Sequence, residues 1–404
     1  MMNEKIYDCI VVGGGISGVS FAYTLSKAGK TVLLLDSEAK IGGQICTEQY
    51  ERDADYWFEM GAHTCYNSYA NLISIINESG FRENVQPLLN YKYVVFAKHK
   101  IRSIFSQLSV IRMIPKCFNY FSATKTGKTV KEFFLPIVGE KNYNRLFRYA
   151  FRAVLCQPAD DYPAEIFLKK RETRDKTYPR KFTFKKGLSS LITHLLSKYN
   201  TEYLLKTVAI NIGKENEIYT VSTRSGAQFQ AKNICLAAGH ESTALLMKDL
   251  EGKISEDLSA IHTYRIQSVG SIIDKKRIKL KKIAGIISLS DDFLSAVSRD
   301  LIKDKKRRSF AFHYDVKYSR KLNIMSDIST EALGIHFTAV WDKKYMEHSL
   351  PARRLEDIDI EERIDNLLKN KSIYITGNYF KGLSLEDCVT RSKSEAERFL
   401  TLNS

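Results

Sequence analysis

The sequence predicts an α/β fold in which a Rossmann-like nucleotide-binding domain is combined with a discontinuous α+β domain. An apolar run over 7–12 is typical of a buried parallel strand, and glycines and then a helical pattern follow it at once. A second strand pattern over 31–35 completes a βαβ unit. The chain then leaves this sheet and returns to it, because similar strand patterns lie at 203–210, 217–222, 233–238 and 372–376.

Two long stretches separate these strand patterns. Residues 66–180 have an irregular, mostly helical pattern, whereas residues 256–352 contain several strand patterns. These patterns lie at 265–273, 285–289, 309–313 and 334–340. The predicted nucleotide-binding domain comprises 1–65, 181–255 and 353–404, and the predicted substrate domain comprises a helical part at 66–180 and a strand-rich part at 256–352.

Composition and charge narrow the class of protein. The 404 residues are 44% hydrophobic and 27% charged, which is typical of a globular enzyme and excludes a disordered, collagen-like or coiled-coil chain. Sixty-two basic residues against 46 acidic ones leave a net charge of +16. Such a charge attracts an anionic substrate or an anionic surface, although a general bias in composition explains it equally well. Basic and aromatic residues do not recur together as in nucleic-acid-binding motifs, so no nucleic-acid partner is predicted.

The cysteines and the apolar segments indicate the setting of the protein. Seven scattered cysteines form no C-x-x-C pair, so the sequence predicts no disulfide framework, no metal site and a reducing, cytoplasmic setting. No uncharged apolar run is long enough to span a membrane. The apolar stretch 6–25 contains Asp8 and four glycines, and we interpret it as strand, turn and helix rather than a signal peptide. The stretch 101–120 fits either a helix that faces the core or peripheral contact with the inner face of a membrane.

The glycine-rich turn satisfies the G-x-G-x-x-G pattern of dinucleotide-binding sites. Gly13 permits a tight turn, Gly15 lets the backbone approach a pyrophosphate, and Gly18 lets the helix pack against the strand. The helix N-terminus at Ile16 and Ser17 adds unpaired N–H groups and a partial positive charge. The turn therefore predicts a site for the pyrophosphate of a dinucleotide.

Asp36 ends the second strand 23 positions after Gly13 and is followed by Ser37. A carboxylate at this position accepts hydrogen bonds from both hydroxyl groups of a ribose and repels a 2′-phosphate. NADP is therefore disfavoured. The pattern by itself does not choose between FAD and NAD.

Four further segments narrow that choice. They are Ile41-Gly42-Gly43-Gln44 with Thr47, Phe58 to His63, Phe182 to Leu191, and Ile373 to Cys388. The first three resemble the G-G-x-x-x-T, E-x-G and F-x-G-G-x-x-x-L segments of the flavin amine oxidase superfamily, and the fourth resembles the C-terminal flavin segment of protoporphyrinogen oxidase. The resemblance implies a Rossmann-like FAD-binding domain of the amine oxidase (GR2) type that holds FAD without a covalent bond.

The same resemblance implies further contacts with FAD. They are Gly42, Gly43, Gln44, Gly61, Ala62 and His63 near the start, Val208, Ala238 and Gly239 in the middle, and Gly377, Asn378, Gly382 and Leu383 near the end. Leu383 is predicted to open a helix whose N-terminus favours the negative charge of a reduced flavin, and Gly382 to let the backbone come close. Val208, expected beside the adenine, also fits a plain buried strand position.

Two side chains are candidates for chemistry at the flavin. His63 is expected near the flavin ring, although a single histidine is more often a satisfied polar group. Lys381 either supplies a positive charge for oxygen activation or faces solvent. Neither Cys46 nor Cys388 lies in a known attachment motif for a covalent flavin.

The resemblance points to an oxidase or dehydrogenase that removes hydride from an organic substrate. A porphyrinogen-like macrocycle would be anionic, and Arg353 and Arg354 are candidates to bind it, although each basic group also fits a solvated face. Gln44 stands where related enzymes frequently have arginine, which weakens the macrocycle assignment. Amines and carotenoid precursors are further substrates to consider. A mutase that acts on UDP-galactopyranose with reduced flavin and a non-catalytic FAD-bound scaffold are the alternatives.

Overall fold

The structure is a computed structural model that describes residues 5–111, 113, 120, 123–317 and 322–403. Its first sheet contains the predicted βαβ unit. The strands of this sheet are β1 (Ile6–Val12), β2 (Val32–Leu35), β10 (Glu202–Leu204), β11 (Ala209–Glu215), β12 (Ile218–Thr223), β13 (Gln228–Leu236) and β19 (Ile373–Ile375). They run in the order β10-β2-β1-β13-β12-β11, and β19 pairs with the end of β13. The strands β2, β1, β13 and β19 are parallel, and their carboxyl ends therefore meet at one edge.

The central strands of the first sheet are buried on both faces, which is why β1, apart from Asp8, and β2 are apolar without alternation. Cys9 and Val11 of β1 point to a core formed with helices α1 (Ile16–Lys27), α2 (Ala70–Ser79), α5 (Ser189–Lys198) and α10 (Leu385–Leu402). Ile10 and Val12 point to the opposite core, which is formed with helices α6 (His240–Met247), α7 (Gly252–Ala260) and α9 (Ile360–Leu368). The result is a three-layer arrangement with the sheet in the middle.

The second sheet is mostly antiparallel. Its strands are β7 (Tyr93–Ala97), β8 (Lys100–Ser103), β14 (His262–Asp274), β15 (Gly285–Ser288), β16 (Ser295–Ser298), β17 (Arg307–Asp315) and β18 (Val340–Ala352), in the order β18-β14-β17-β16-β15-β7-β8. Helix α8 (Leu322–Leu333) covers part of one face through Met325, Ala332 and Leu333. Helix α4 (Arg148–Leu155) packs against β15 and its neighbours.

Two small sheets and the remaining helical segments connect these parts. The strands are β3 (Thr47–Tyr50) with β4 (Asp53–Glu59), and β5 (Cys65–Tyr66) with β9 (Lys181–Phe184) and β6 (Val85–Pro87). Helix α3 is Val130–Val138, a short turn at Glu140–Asn142 leads into a π-helical segment at Tyr143–Phe147, and the 3₁₀ turns are Arg82–Asn84, Ile104–Gln107, Lys275–Arg277, Arg299–Leu301, Phe337–Ala339 and Leu355–Asp357.

The structure corrects several sequence predictions. Residues 66–180 are not only helical, because they also contribute β6, β7 and β8, and the last two extend the second sheet. The stretch 101–120 begins as strand and 3₁₀ turn rather than helix, and 112, 114–119 lie outside the described residues. The strand predicted at 334–340 is instead a loop and a 3₁₀ turn before β18. No helix within the described residues is both long and apolar enough to cross a membrane.

Candidate functional site

The glycine-rich turn packs tightly against the end of β13. Gly13 has a φ of +112°, and a Cβ there would lie 2.6 Å from the carbonyl carbon of Ala237. A Cβ at Gly18 would lie 1.9 Å from the carbonyl oxygen of Gly13, so this glycine lets α1 pack against the turn itself. Gly15 differs, because a Cβ there would meet nothing closer than the Gly42 carbonyl oxygen at 4.0 Å. The turn therefore needs Gly13 and Gly18 for its own packing, whereas Gly15 borders open space.

The N-terminus of α1 is available to an anion. Gly15 is its N-cap, no side chain caps the helix, and the first turn contains no acidic residue. The helix thus begins with unpaired N–H groups and the positive end of its dipole, which is the arrangement that favours a phosphate. Ile16 and Ser17 of this turn line a cavity of about 580 Å³.

Asp36 lies at the end of β2 and lines the same cavity. Its carboxylate accepts the N–H of Gly14 at 2.6 Å and the N–H of Glu38 at 2.7 Å. Burial raises the pKa of this carboxyl above its usual value, and the two N–H donors oppose that rise. Two backbone bonds thus fix the orientation of the carboxylate at the cavity wall.

Two further loops complete this end of the cavity. The N–H of Gly42 donates to the Gly14 carbonyl at 2.9 Å, and the N–H of Ala62 donates to the Gln44 carbonyl at 3.1 Å. A Cβ at Gly61 would lie 2.3 Å from that same Gln44 carbonyl. The segments at 42–44 and 61–63, far from the fingerprint in sequence, are thereby held against it.

Most of the predicted cofactor residues line this one cavity. They are Gly13, Gly15, Ile16, Ser17, Asp36, Ser37, Gly42, Gly43, Gln44, Gly61, Ala62, His63, Val208, Ala238, Gly239, Gly377, Asn378 and Leu383. The carboxyl ends of β1, β2, β13 and β19 carry many of them to the same edge of the first sheet, which is where ligands bind in folds of this kind.

Five predicted residues do not line the cavity. Gly18 lets α1 pack against the glycine-rich turn. Gly382 has a φ of +143° and lies against Asp387. Lys381 forms an ion pair with Glu361 at 2.8 Å, so its ammonium group is engaged away from the cavity. Arg353 is 2% exposed and donates to the carbonyl groups of Tyr379, Phe380 and Asp357. Arg354 is adjacent, and its N–H donates to the Asp357 carboxylate at 2.7 Å.

Lys381, Arg353 and Arg354 are therefore not among the described residues that line the cavity. The terminal nitrogens of Arg353 hold the chain that returns to the first sheet, whereas its Nε lies 4.0 Å from the Asp357 carboxylate and has no hydrogen-bond partner among the described residues.

The predicted helix start at Leu383 is two residues early, because α10 begins at Leu385 with Ser384 as its N-cap. Ser384 accepts the N–H of Asp387 at 3.1 Å, so this helix is capped by its own side chain.

Sequence analysis missed the far wall of the cavity. His313 of β17 and His348 of β18 line it, together with an apolar surface from the second sheet and α4. The apolar members are Ala153, Val154, Leu155, Cys156, Ile266, Val297, Leu350 and Pro351. No contiguous motif marks these residues. Of the residues singled out from the sequence, Gln44 contacts this wall. Its Oε1 accepts a hydrogen bond from Nδ1 of His348 at 2.7 Å.

Four histidines line the cavity; burial keeps His63, His313 and His348 neutral and lowers the pKa of the fourth, His240, as well. It lowers the pKa of His63, that of His348 to about 4, and that of His313 to about 3, where the neighbouring His348 and His63 add to the effect. Nδ1 of His313 lies 2.7 Å from the Ser268 hydroxyl, which fixes the ring. At neutral pH these side chains can therefore donate and accept hydrogen bonds but carry no charge.

Glu59 of β4 ties the flanking segments together just behind the cavity. Its carboxylate accepts the Thr47 hydroxyl at 2.8 Å and the Leu188 N–H at 2.8 Å. Burial raises the pKa of this carboxyl to about 7 from a usual value of 4.5. The folded chain therefore binds more protons here than the unfolded chain does between those two pH values.

We expect Glu59 to make the protein less stable as the pH rises from about 4.5 to about 7, by up to roughly 3 kcal/mol of unfolding free energy. Glu59→Gln, which cannot ionise, should remove this part of the pH dependence. Urea unfolding of both proteins at several pH values measures the difference, and Glu51→Gln, a change at an exposed carboxyl, is the control. Equal pH dependence in Glu59→Gln and the parent would contradict the prediction.

Comparison with known proteins agrees with this geometry. The sequence profile of the NAD(P)-binding Rossmann-like domain matches residues 11–79. The chain is 30% identical over 116 residues to 15-cis-phytoene desaturase from Narcissus pseudonarcissus, and 34% identical over 79 residues to a probable flavin-containing monoamine oxidase A from Dictyostelium discoideum. These matches cover 29% and 20% of the chain, and 20% and 17% of the two relatives, so the chain matches only about one fifth of their length.

Solved structures match over nearly the whole chain. A putative protoporphyrinogen oxidase from Exiguobacterium sp. 255-15 superposes with a TM-score of 0.82 at 16% identity, covering 100% of both chains. The chain has the fold of the flavin amine oxidases. Putrescine oxidase shares this fold, with a TM-score of 0.72, 13% identity and coverage of 98% and 99%, and so does reduced UDP-galactopyranose mutase, with 0.75, 12%, 98% and 96%.

The residues present in the cavity fit an adenine dinucleotide that carries a flavin. The uncapped N-terminus of α1 and the open space at Gly15 suit a pyrophosphate, and Asp36 stands where a ribose would follow. The cavity then continues past Gly61 and His63 to Gly377 and Asn378. It is thus bordered by both ends of the chain, as the sequence resemblance implies.

Proposed function

We propose that this protein is an FAD-dependent oxidoreductase that acts on an uncharged, largely apolar part of an organic substrate. The observation that carries the proposal is the continuity of the 580 Å³ cavity, which joins the nucleotide fingerprint to an apolar wall with three neutral histidines. A cofactor that lies against the first sheet would present its ring to a substrate that lies against the second.

The residues proposed to hold FAD divide by the part of the molecule they bind. The first turn of α1 and Gly15 would bind the pyrophosphate, Asp36 the adenosine ribose, and Val208 would lie beside the adenine. Gly61 and Asn378 would border the ring end. Bound FAD supplies a two-electron acceptor for hydride from the substrate.

The cysteines at the cavity favour a non-covalent cofactor. Cys156 and Cys388 both line it. Burial raises the pKa of the Cys156 thiol to about 11 and that of the Cys388 thiol to about 12. Both groups are therefore protonated at neutral pH, and a protonated thiol is a poor nucleophile.

The lining residues support an apolar substrate over an anionic one. Among the described residues that line the cavity, none is a lysine or an arginine. The wall formed by residues 153–156, Ile266 and Leu350 would exclude water from the reacting atoms. Of the substrates considered from sequence, this favours a polyene such as a carotenoid precursor over a porphyrinogen with its carboxylates. A sugar diphosphate, the substrate class of a mutase, also has no cationic cleft here.

The histidines are proposed to orient the ligand through hydrogen bonds and not through charge. Ser268 holds His313 and Gln44 holds His348, each through Nδ1 at 2.7 Å. His63 follows Gly61 and Ala62 in the loop that borders the ring end. Because all three pKa values are lowered by burial, this orienting role should not change across the neutral pH range.

An anaerobic bleaching screen tests the proposal. FAD-loaded protein is mixed with polyenes, primary amines and a porphyrinogen in turn, and the flavin absorbance is followed. We expect bleaching by a member of the polyene class, with an oxidised product in equal amount. Bleaching by the porphyrinogen or by amines alone would contradict the substrate assignment. Sugar-ring isomerisation by the reduced protein would support the mutase, and flavin that no substrate reduces would support a scaffold.

A further inference from the structure

A second, smaller cavity lies beside the large one. We call it the side chamber; its volume is about 30 Å³, and Trp57, Glu59, Thr183, Arg299 and Ser309 are among the residues that line it. His63 and Val297 line both cavities, so the side chamber adjoins the large cavity at these two residues. Its volume has room for about two water-sized groups.

Arg299 brings a positive charge to the side chamber. Its guanidinium lies 4.2 Å from the ring centre of Tyr56 and 5.2 Å from that of Trp57. Unlike Arg307 and Arg308, it takes part in no ion pair among the described residues, and its buried Nε has no hydrogen-bond partner there. The carboxylates of Asp304 and Glu59 act on it only at longer range. Burial lowers the pKa of this guanidinium, which reports the cost of holding the charge there. A buried donor of this kind is stabilised by an anion.

A second donor in the side chamber is also unsatisfied. Thr183 of β9 is 1% exposed, and its hydroxyl has no hydrogen-bond partner among the described residues. Buried hydroxyl groups are nearly always hydrogen-bonded in folded proteins. Two unsatisfied donors, from Arg299 and Thr183, therefore line one small chamber from opposite parts of the chain.

Glu59 is the acidic group in the side chamber, and its position limits its repulsion of an anion. Both carboxylate oxygens are engaged by Thr47 and Leu188. Burial raises its pKa to about 7, so a large fraction of this carboxyl is uncharged near neutral pH. The charge of the chamber is therefore set mainly by Arg299.

We propose that the side chamber is a binding site for one carboxylate-sized anion, held by Arg299 and Thr183. The volume admits the two oxygens of a carboxylate and little more. Two sources supply this chemistry: a free small carboxylate, or the carboxylate end of a longer ligand whose apolar body lies in the large cavity. In this proposal Arg299 has the anion-binding role that the sequence suggested for Arg353 and Arg354.

Trp57 gives a direct readout that does not require turnover. FAD-loaded protein carrying Trp341→Phe, which leaves Trp57 as its one tryptophan, is titrated with sodium formate at constant ionic strength set by gluconate, an anion too large for the chamber. We expect a saturable change in Trp57 fluorescence. Arg299→Gln should weaken formate binding at least about tenfold, and Thr183→Val severalfold, through the loss of hydrogen bonds to a charged group.

Arg307 provides a matched control. Its guanidinium also lies over Tyr56, at 4.4 Å, but it pairs with Asp53 and does not line the side chamber. Arg307→Gln should leave the formate titration unchanged. The proposal is overturned if formate gives no saturable response, or if Arg299→Gln and Thr183→Val, shown to be folded by circular dichroism, both bind formate as the parent does.

Octanoate distinguishes the two sources of the anion. If the chamber receives the end of a longer molecule, octanoate binds in an Arg299-dependent manner and also perturbs the flavin absorbance. If it accepts free anions alone, formate binds and octanoate does not. Either result supports the site. The fluorescence titration can be repeated without FAD, so its outcome is independent of the proposed redox function.

Discussion

Gly15→Val is expected to abolish the retention of FAD while leaving the protein folded. The backbone at Gly15 has a φ of −70°, which valine adopts, and a Cβ there would meet no protein atom closer than the Gly42 carbonyl oxygen at 4.0 Å. It would instead fill the space beside the N-terminus of α1. Loss of two or more charge-assisted bonds to the pyrophosphate weakens FAD binding by roughly 100-fold or more. Absorbance of the purified variant and an FAD titration measure the effect.

Gly252→Val is the matched control for this experiment. Gly252 is also free of neighbours within 4 Å and has no positive φ, but it begins α7, away from the cavity. This variant should retain FAD like the parent. Full flavin absorbance in purified Gly15→Val would contradict the placement of the pyrophosphate.

Arg391→Leu is expected to lower the free energy of unfolding by about 3–5 kcal/mol. Arg391 of α10 is 1% exposed and pairs with Asp365 of α9 at 2.6 Å and with Glu395 at 3.2 Å. Its Nε also donates to the Ile375 carbonyl of β19 at 3.1 Å. Its removal leaves the buried Glu395 with less compensation and loosens the helix that follows Gly377 and Asn378.

Urea unfolding at a fixed FAD concentration measures this loss, since bound ligand adds to apparent stability. Lys393→Leu is the control on the same helix, because Lys393 is exposed and makes one long contact with Asn71. We expect that control to change stability little. A loss below about 1 kcal/mol in Arg391→Leu would show that the buried ion pairs do not hold α10 in place.

The nucleotide end of the site was predictable because its chemistry is local in sequence. Gly13, Gly15 and Gly18 lie in one turn, and Asp36 follows at the end of the next strand, so a short spacing encodes their meeting. Parallel strands bring their carboxyl ends to one edge, which is why Gly377, after β19, lies beside the cavity. The strand predicted at 203–210 is instead two strands, β10 and β11, and Val208 lines the cavity from the loop between them.

The far wall of the cavity was not predictable for the opposite reason. His313 and His348 lie on β17 and β18, and both strands pair with β14 in the antiparallel sheet. No short sequence pattern around either histidine marks a site. Arg353 illustrates the reverse error. A pair of arginines in a sequence suggests a surface that binds anions. Tertiary packing instead buries the guanidinium of Arg353 among three carbonyl acceptors.

The secondary-structure predictions also succeeded where the pattern is local in sequence and failed where it is not. β1 and β2 are short, continuous apolar runs and were found within one residue. The sequence from 334 to 340 has strand-forming residues, yet most of it forms a loop and a 3₁₀ turn. Strand β18 begins only at Val340. The hairpin of β7 and β8 was missed within a stretch of helical character, and the strand that joins it to the second sheet, β15, is distant in sequence.

The flavin content of the purified protein tests the central claim most directly. Native protein is desalted, denatured, and the released small molecule is identified and quantified against the chain. The account predicts one FAD per chain, released on denaturation without a covalent bond. Protein that is colourless and takes up no FAD when it is supplied in excess would contradict it.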